Sequence, residues 1–299
     1  MIQMRKEGGL RTKGIIKESS SDSPLISIIT PTLNRRETLV STMKSVFNQT
    51  YPLIEYIIID GGSTDGTVEM LEEWDEKIDY WVSEKDRGIF DAMNKGIDLA
   101  RGELIGIINS DDWYAPTTVE KVVNAWKEDP EADVFFGDAL VILKDIDFAF
   151  LRKGNWRKLP QEMSINHPTC FLTRRAYEKW GKFDISFPYA ADYELALRLY
   201  TNGAKFHYIP GILAYQRKGG VSEGYGVHLD VFRIYLKYFS FSYALLKLVQ
   251  QTSEHLMDVT RQKIGKLLKL LAGKKNWEKI REKWLRRKFG KRIVPFTEY

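Results

Sequence analysis

The sequence predicts an α/β domain built on a largely parallel sheet and followed by a basic C-terminal helical extension. Three observations predict it. Short, β-branched apolar runs recur through the first half of the chain, amphipathic helical repeats separate them, and each run ends in a cluster of polar residues, glycines or carboxylates.

The runs are Leu25–Thr30, Ile54–Asp60, Leu104–Ile108 and Val134–Phe136. Their near-continuous apolar character is that of strands buried on both faces, as in a parallel sheet. Between them, Leu39, Met43, Val46 and Phe47 share one helical face, and Ile89, Met93, Ile97 and Ala100 share another. A β-α-β-α order is that of a doubly wound sheet, and such sheets bind ligands beyond the carboxyl ends of their strands. Those ends here read Pro31-Thr32-Leu33-Asn34, Asp60-Gly61-Gly62-Ser63 and Asn109-Ser110-Asp111-Asp112.

Composition narrows the class. Hydrophobic residues make up 43% of the 299, enough for a sizeable core and too many for a disordered chain. Cys170 stands alone, which excludes a disulfide framework and a cysteine-rich zinc site and fits a reducing, cytoplasmic setting. No apolar run approaches the ~20 residues of a spanning helix. Residues 229–299 hold 17 Lys and Arg against 6 Asp and Glu, whereas residues 1–228 hold 28 against 34. The expected organisation is a flexible leader over 1–23, a catalytic domain over 24–228 and a basic amphipathic region over 229–299. That region, with Ile264, Leu267, Leu268 and Leu271 on one face and Trp277, Ile280 and Trp284 on another, suits the surface of an anionic bilayer. It equally suits packing on the catalytic domain or on a second subunit. It lacks a recognised nucleic-acid module, so no nucleic acid is expected.

Adjacent carboxylates at a strand end repel unless a cation joins them. Asp111-Asp112 therefore reads either as a site for Mn2+ or Mg2+ or as an Asx turn before the next helix. The glycine-rich bend from Asp60 to Thr67 is neither a Walker loop nor GxGxxG. Asp60 is free to bond a base or sugar while Ser63 or Thr64 caps a helix. Asp86 either binds a nucleotide or caps the helix of Ile89 to Ala100, and Lys95 meets phosphate or solvent. Asp192 caps a helix or serves as a general base. His167 has no His-x-x-x-His partner, which excludes a zinc hydrolase.

Six pieces now stand in a fixed order: Pro31-Thr32-Leu33-Asn34-Arg35, Asp60 to Thr67, Glu84 to Gly96, Asn109-Ser110-Asp111-Asp112, His167-Pro168-Thr169 and Ala191-Asp192-Tyr193-Glu194-Leu195. Together, from Pro24 to about Ser222, they resemble the family 2 glycosyltransferases of GT-A fold, and among these the enzymes that build bacterial surface polysaccharides. The resemblance implies a GT-A type nucleotide-binding sheet flanked by helices. It implies Thr32, Asp60 and Asp86 at the nucleoside, Asp111 at the ribose, Asp112 on Mn2+ or Mg2+, and Asp192 as catalytic base. The acidic element reads Ser-Asp-Asp rather than Asp-x-Asp, and Ala191 stands where many members carry an acid. The expected partners are a nucleoside-diphosphate-sugar, taken as a UDP-sugar, and a hydroxyl of a glycan or lipid-linked acceptor, with inversion at the transferred sugar. The competing readings are a sugar nucleotidyltransferase and a non-catalytic nucleotide- or nucleic-acid-binding protein.

Overall fold

A computed structural model of the chain describes residues 5–20, 23–143, 148–217, 225–272, 283 and 293–295. The chain divides into two compact units, residues 1–140 with 152–217, and residues 141–151 with 218–299.

Four parallel strands form the heart of the first unit: β2 (Ile26–Thr32), β3 (Ile54–Asp60), β4 (Tyr80–Ser83) and β5 (Leu104–Ile107). Every residue in them is buried, as their unbroken apolar sequences require. The sheet order runs β1-β4-β3-β2-β5-β9-β7-β10-β6, with β1 at Lys6–Gly8, β6 at Trp113–Tyr114, β7 at Val134–Leu143, β9 at Phe171–Thr173 and β10 at Phe206–Arg217. The chain builds outward from β2 through β3 to β4, then returns to place β5 on the other edge of β2. The strand order thus reverses between β2 and β5, where the loops diverge and leave a crevice. Outside this core the sheet turns antiparallel. β9 runs antiparallel to both β5 and β7, so the fourth expected strand, at Val134–Phe136, joins the sheet through an antiparallel neighbour.

Helices α1 (Arg36–Phe47), α2 (Thr67–Glu73), α3 (Ile89–Leu99), α4 (Thr118–Glu128), α5 (Arg174–Trp180) and α6 (Ala191–Thr201) accompany the sheet. α3 packs against β2 and β3. Gly96 permits that approach: a Cβ there would stand 2.4 Å from Ile29 Cγ2.

The expected flexible leader is, over residues 5–20, an ordered cover. β1 pairs antiparallel with β4, and a 3-10 turn at Leu10–Lys13 follows. Two buried carboxylates explain the ordering. Glu55 of β3 is 1% exposed and takes an ion pair from Arg11, and Asp79 takes Lys17 Nζ at 3.0 Å. Buried carboxylates need compensating charge, and among the described residues the leader supplies the cations that pair with these two.

The second unit carries α7 (Tyr225–Tyr238) and α8 (Phe241–Ala272), which pack on one another through Tyr235, Phe239 and Tyr243. A short strand, β8 (Phe148–Arg152), pairs antiparallel with β11 (Ile293–Pro295). On α8, Phe241, Leu246 and Val249 are exposed. The expected aromatic face at Trp277, Ile280 and Trp284 lies outside the described residues. Among the described residues no helix is long and apolar enough to cross a membrane.

Candidate active site

The parallel register brings Thr32, Asp60 and Ser83 side by side at the carboxyl ends of β2, β3 and β4. Asp60 is fully buried and spends both oxygens on its own loop and on Ser83 of β4. Oδ2 accepts from Gly62 N at 3.1 Å, Ser63 N at 2.9 Å and Ser83 Oγ at 2.6 Å, and Oδ1 accepts from Ser63 Oγ. Neighbouring bonds tie this loop to the one after β2. Gly61 N donates to Thr32 O at 2.8 Å, Asn34 N to Ser63 Oγ at 2.7 Å, and Thr64 N to Asn34 Oδ1 at 2.8 Å. Asn34 holds the left-handed φ of 52° that this clasp requires. Thr32 Oγ1, by contrast, is buried with no hydrogen-bond partner among the described residues, an arrangement that costs free energy unless a ligand completes it.

Asp86 sits above Gly61, where an added Cβ would come within 3.1 Å of its Oδ2. Its Oδ1 accepts from Lys95 Nζ at 2.5 Å, and the same ammonium meets Glu84 at 2.7 Å. Burial still pushes the Asp86 carboxyl up, with Lys95 opposing. Lys95 is thus committed to carboxylates.

The acidic turn follows β5, beside the reversal of strand order. α1 pins it: Thr42 Oγ1 donates to Asp112 O at 2.6 Å, and Ser45 Oγ accepts from Tyr114 N at 3.1 Å. Asp112 is 2% exposed, and its Oδ1 accepts from Arg217 N at 3.0 Å. Its Oδ2 has no hydrogen bond among the described residues. Burial drives the Asp112 carboxyl well above its ordinary range, the Asp111 charge drives it further, and Arg217 opposes. Asp111 is raised as well, by burial, with Arg35 and Arg217 opposing. Arg217 lies over the Trp113 ring at 4.9 Å, and Trp113 stacks on Tyr215 at 5.5 Å.

This donor set fits a hard divalent cation. It offers a carboxylate oxygen with no hydrogen bond among the described residues, beside a second carboxylate, and such ions are held by one or two carboxylates with the remaining positions left to water and phosphate. Among the described residues no group of three or more His, Cys, Asp or Glu could hold a metal, so a full protein cage is not what the site provides.

Asp192 lies in the first turn of α6, its Oδ1 accepting from its neighbour Tyr193 N at 2.9 Å. The residue before the helix is Ala190, and no side chain caps it. Asp192 lines a small cavity with His167 and Cys170, whose wall includes Ile107 near the end of β5. The cavity therefore lies five residues of chain from Asp112.

Thr32 and Asp60 thus stand side by side with Asp86 over Gly61, Asp111 and Asp112 lie in the turn after β5, and Asp192 lines a cavity that Ile107 of β5 also walls. Sequence reasoning missed Arg217, Arg35 and the environment of His167. Arg217 reaches Asp112 across 105 residues through a returning antiparallel strand, a long-range pairing that no local pattern announces.

The chain is similar in sequence and fold to known proteins. Residues 27–181 match the sequence profile of Glycosyl transferase family 2. A PGL/p-HBAD biosynthesis glycosyltransferase of Mycobacterium tuberculosis is 29% identical over 207 residues, which cover 67% of this chain and 80% of that protein. Chondroitin synthase of Escherichia coli is 32% identical over 192 residues, covering 62% of this chain and 28% of that one. Among solved structures, Staphylococcus aureus TarS 1-349 in complex with UDP-GlcNAc superposes with a TM-score of 0.55 at 17% identity, covering 78% of this chain and 71% of that chain. The mannosyltransferase PcManGT of Pyrobaculum calidifontis, in complex with GDP-Man and Mn2+, gives 0.56 at 18%, covering 86% and 82%.

Proposed function

The chain belongs to glycosyl transferase family 2, and on that premise we propose that it moves a sugar from a nucleoside-diphosphate-sugar, a UDP-sugar, to a hydroxyl of a glycan or lipid-linked acceptor. The transfer is metal-dependent and inverts the anomeric centre. The observation that carries this reading is the pinned Asp111-Asp112 turn at the reversal of strand order, with its unengaged carboxylate oxygen. Solved relatives in fold hold UDP-GlcNAc, or GDP-Man with Mn2+, which supports a nucleotide-sugar and a divalent cation here.

Each residue has a physical task. Thr32 Oγ1, buried and unpartnered, bonds the nucleoside. Asp60 holds the loop of Gly61 and Gly62 in the shape that receives it, and Asp86 stands over Gly61 to bond the base. Asp111 meets the ribose. Asp112 would hold Mn2+ or Mg2+, and the ion would supply positive charge against the diphosphate leaving group. Asp192 takes the proton of the acceptor hydroxyl as its oxygen attacks the anomeric carbon. One base and one attack make a single displacement, hence inversion.

The exposed apolar residues of α8, in a region with 17 basic against 6 acidic residues, support work at the cytoplasmic surface of an anionic membrane, within reach of a lipid-linked acceptor.

Sugar transfer tests the proposal. Incubation with nucleoside-diphosphate-sugars and Mn2+ releases nucleoside diphosphate and forms a glycoside of opposite anomeric configuration. Release of pyrophosphate instead, or retained configuration, overturns it.

A further inference from the structure

One titratable side chain near Asp192 has no task in the mechanism above. His167 belongs to a 3-10 turn, His167–Thr169, that precedes β9. Together with Asp192 and Cys170 it lines a cavity of about 30 Å3 whose remaining wall includes Ile107, Leu172 and Tyr177. That is room for a water molecule, which needs polar partners to stay. His167 Nε2 is buried and has no hydrogen-bond partner among the described residues. The imidazole lies edge-on to the Phe183 ring, centroids 6.1 Å apart.

We propose that His167 is a positioning residue for Asp192: the two share one proton across this cavity, and His167 accepts the proton that Asp192 removes from the acceptor. In that step the acceptor O–H bond breaks, and its oxygen forms the bond to the anomeric carbon. The electron pair of the breaking sugar–phosphate bond leaves with the diphosphate. The proton passes from the Asp192 carboxyl to an imidazole nitrogen, and from the resulting imidazolium to solvent.

The surroundings favour such sharing. Burial pushes the Asp192 carboxyl up while the His167 charge opposes, and burial pushes His167 down while the Asp192 charge opposes. Their affinities for a proton converge, which is the condition for joint titration. The other titratable groups facing the cavity are the thiol of Cys170 and the phenol of Tyr177, both raised by burial beyond the range in which they would compete. Glu194 of α6 pairs with Arg198 at 3.0 Å, and Arg198 also donates to Trp180 O and Lys182 O.

The relay rests on Asp192 being the base proposed above, but the pairing does not, and it is measurable without substrate. The protein has four histidines, so long-range 1H–15N spectra resolve each imidazole, with His167→Gln assigning the signal. In Asp192→Asn the His167 midpoint should fall by about one unit, the scale of a carboxylate neighbour. In His167→Gln the 13C midpoint of the Asp192 carboxyl should rise. Midpoints unchanged in both variants overturn the pairing whatever the enzyme transfers. Where transfer is established, the acid limb of the kcat/KM pH profile should move up in His167→Gln. A lower rate with an unmoved limb overturns the relay, and absence of transfer in the wild type overturns only the proposed function.

Discussion

Thr32 and Asp112 present opposite problems to the folded chain, and each problem is a prediction. Thr32 buries a hydroxyl that no described residue bonds. Thr32→Val keeps the shape and removes the orphan, so the thermal midpoint should hold or rise. Nucleotide affinity should fall about tenfold, the worth of one hydrogen bond in a desolvated site. A variant that binds nucleotide as tightly as the wild type removes Thr32 from the donor site. Asp111 and Asp112 both have raised carboxyls. A carboxyl raised by folding contributes stability that is complete below its unfolded value and is lost as pH climbs through the folded value. Thermal midpoints in EDTA should therefore fall as pH rises from the ordinary carboxylate range through the raised one, and Mn2+ should reverse the loss. A Mn2+ effect equal at low and neutral pH contradicts the site.

At the scale of elements, two contacts carry testable weight. α3 rests on β2 through Gly96, and Gly96→Ala forces a methyl to within 2.4 Å of Ile29. Overpacking of this kind costs about 1–3 kcal/mol, readable in denaturant midpoints. The leader pairs Arg11 with Glu55, whose side chain is 1% exposed. Arg11→Ala leaves a buried carboxylate held only by Ser27 Oγ and Arg101 N, a loss on the order of 3 kcal/mol. An Arg11→Ala protein with wild-type stability shows that the leader is dispensable. The same two contacts mark the limits of sequence reading. β2, β3, β5, α1 and α3 were legible, because buried parallel strands write continuous apolar runs and surface helices write a 3.6-residue period, whereas the short β4 was not. The leader was not. Its few polar residues carry no period, and it orders only because Glu55 and Asp79 lie beneath it. β10 and its Arg217 escaped for the same reason: that strand's burial alternates irregularly and its partners are distant in the chain.

At the scale of the whole molecule, charge is divided. Residues 229–299 carry the basic excess, and α8 exposes Phe241, Leu246 and Val249. Flotation with vesicles rich in anionic lipid should carry the protein upward at low salt and release it as salt screens the attraction. Equal flotation with neutral vesicles contradicts the electrostatic share, and none with either removes the membrane from the account. The acidic remainder is where a cation is needed. It was the ordered series of strand-end clusters, rather than any one of them, that made the candidate site visible in sequence. The folded chain added what spacing cannot give: which oxygen of Asp112 is engaged, and which is left.

That oxygen is the centre of the account. Calorimetric titration of a panel of nucleoside diphosphates, with Mn2+ and with EDTA, measures it most directly. The account predicts tight binding of one diphosphate with Mn2+, weak binding in EDTA, and loss of the Mn2+ dependence in Asp112→Asn with the fold intact. A wild-type affinity indifferent to Mn2+, or an Asp112→Asn variant that keeps the full Mn2+ effect, would contradict it.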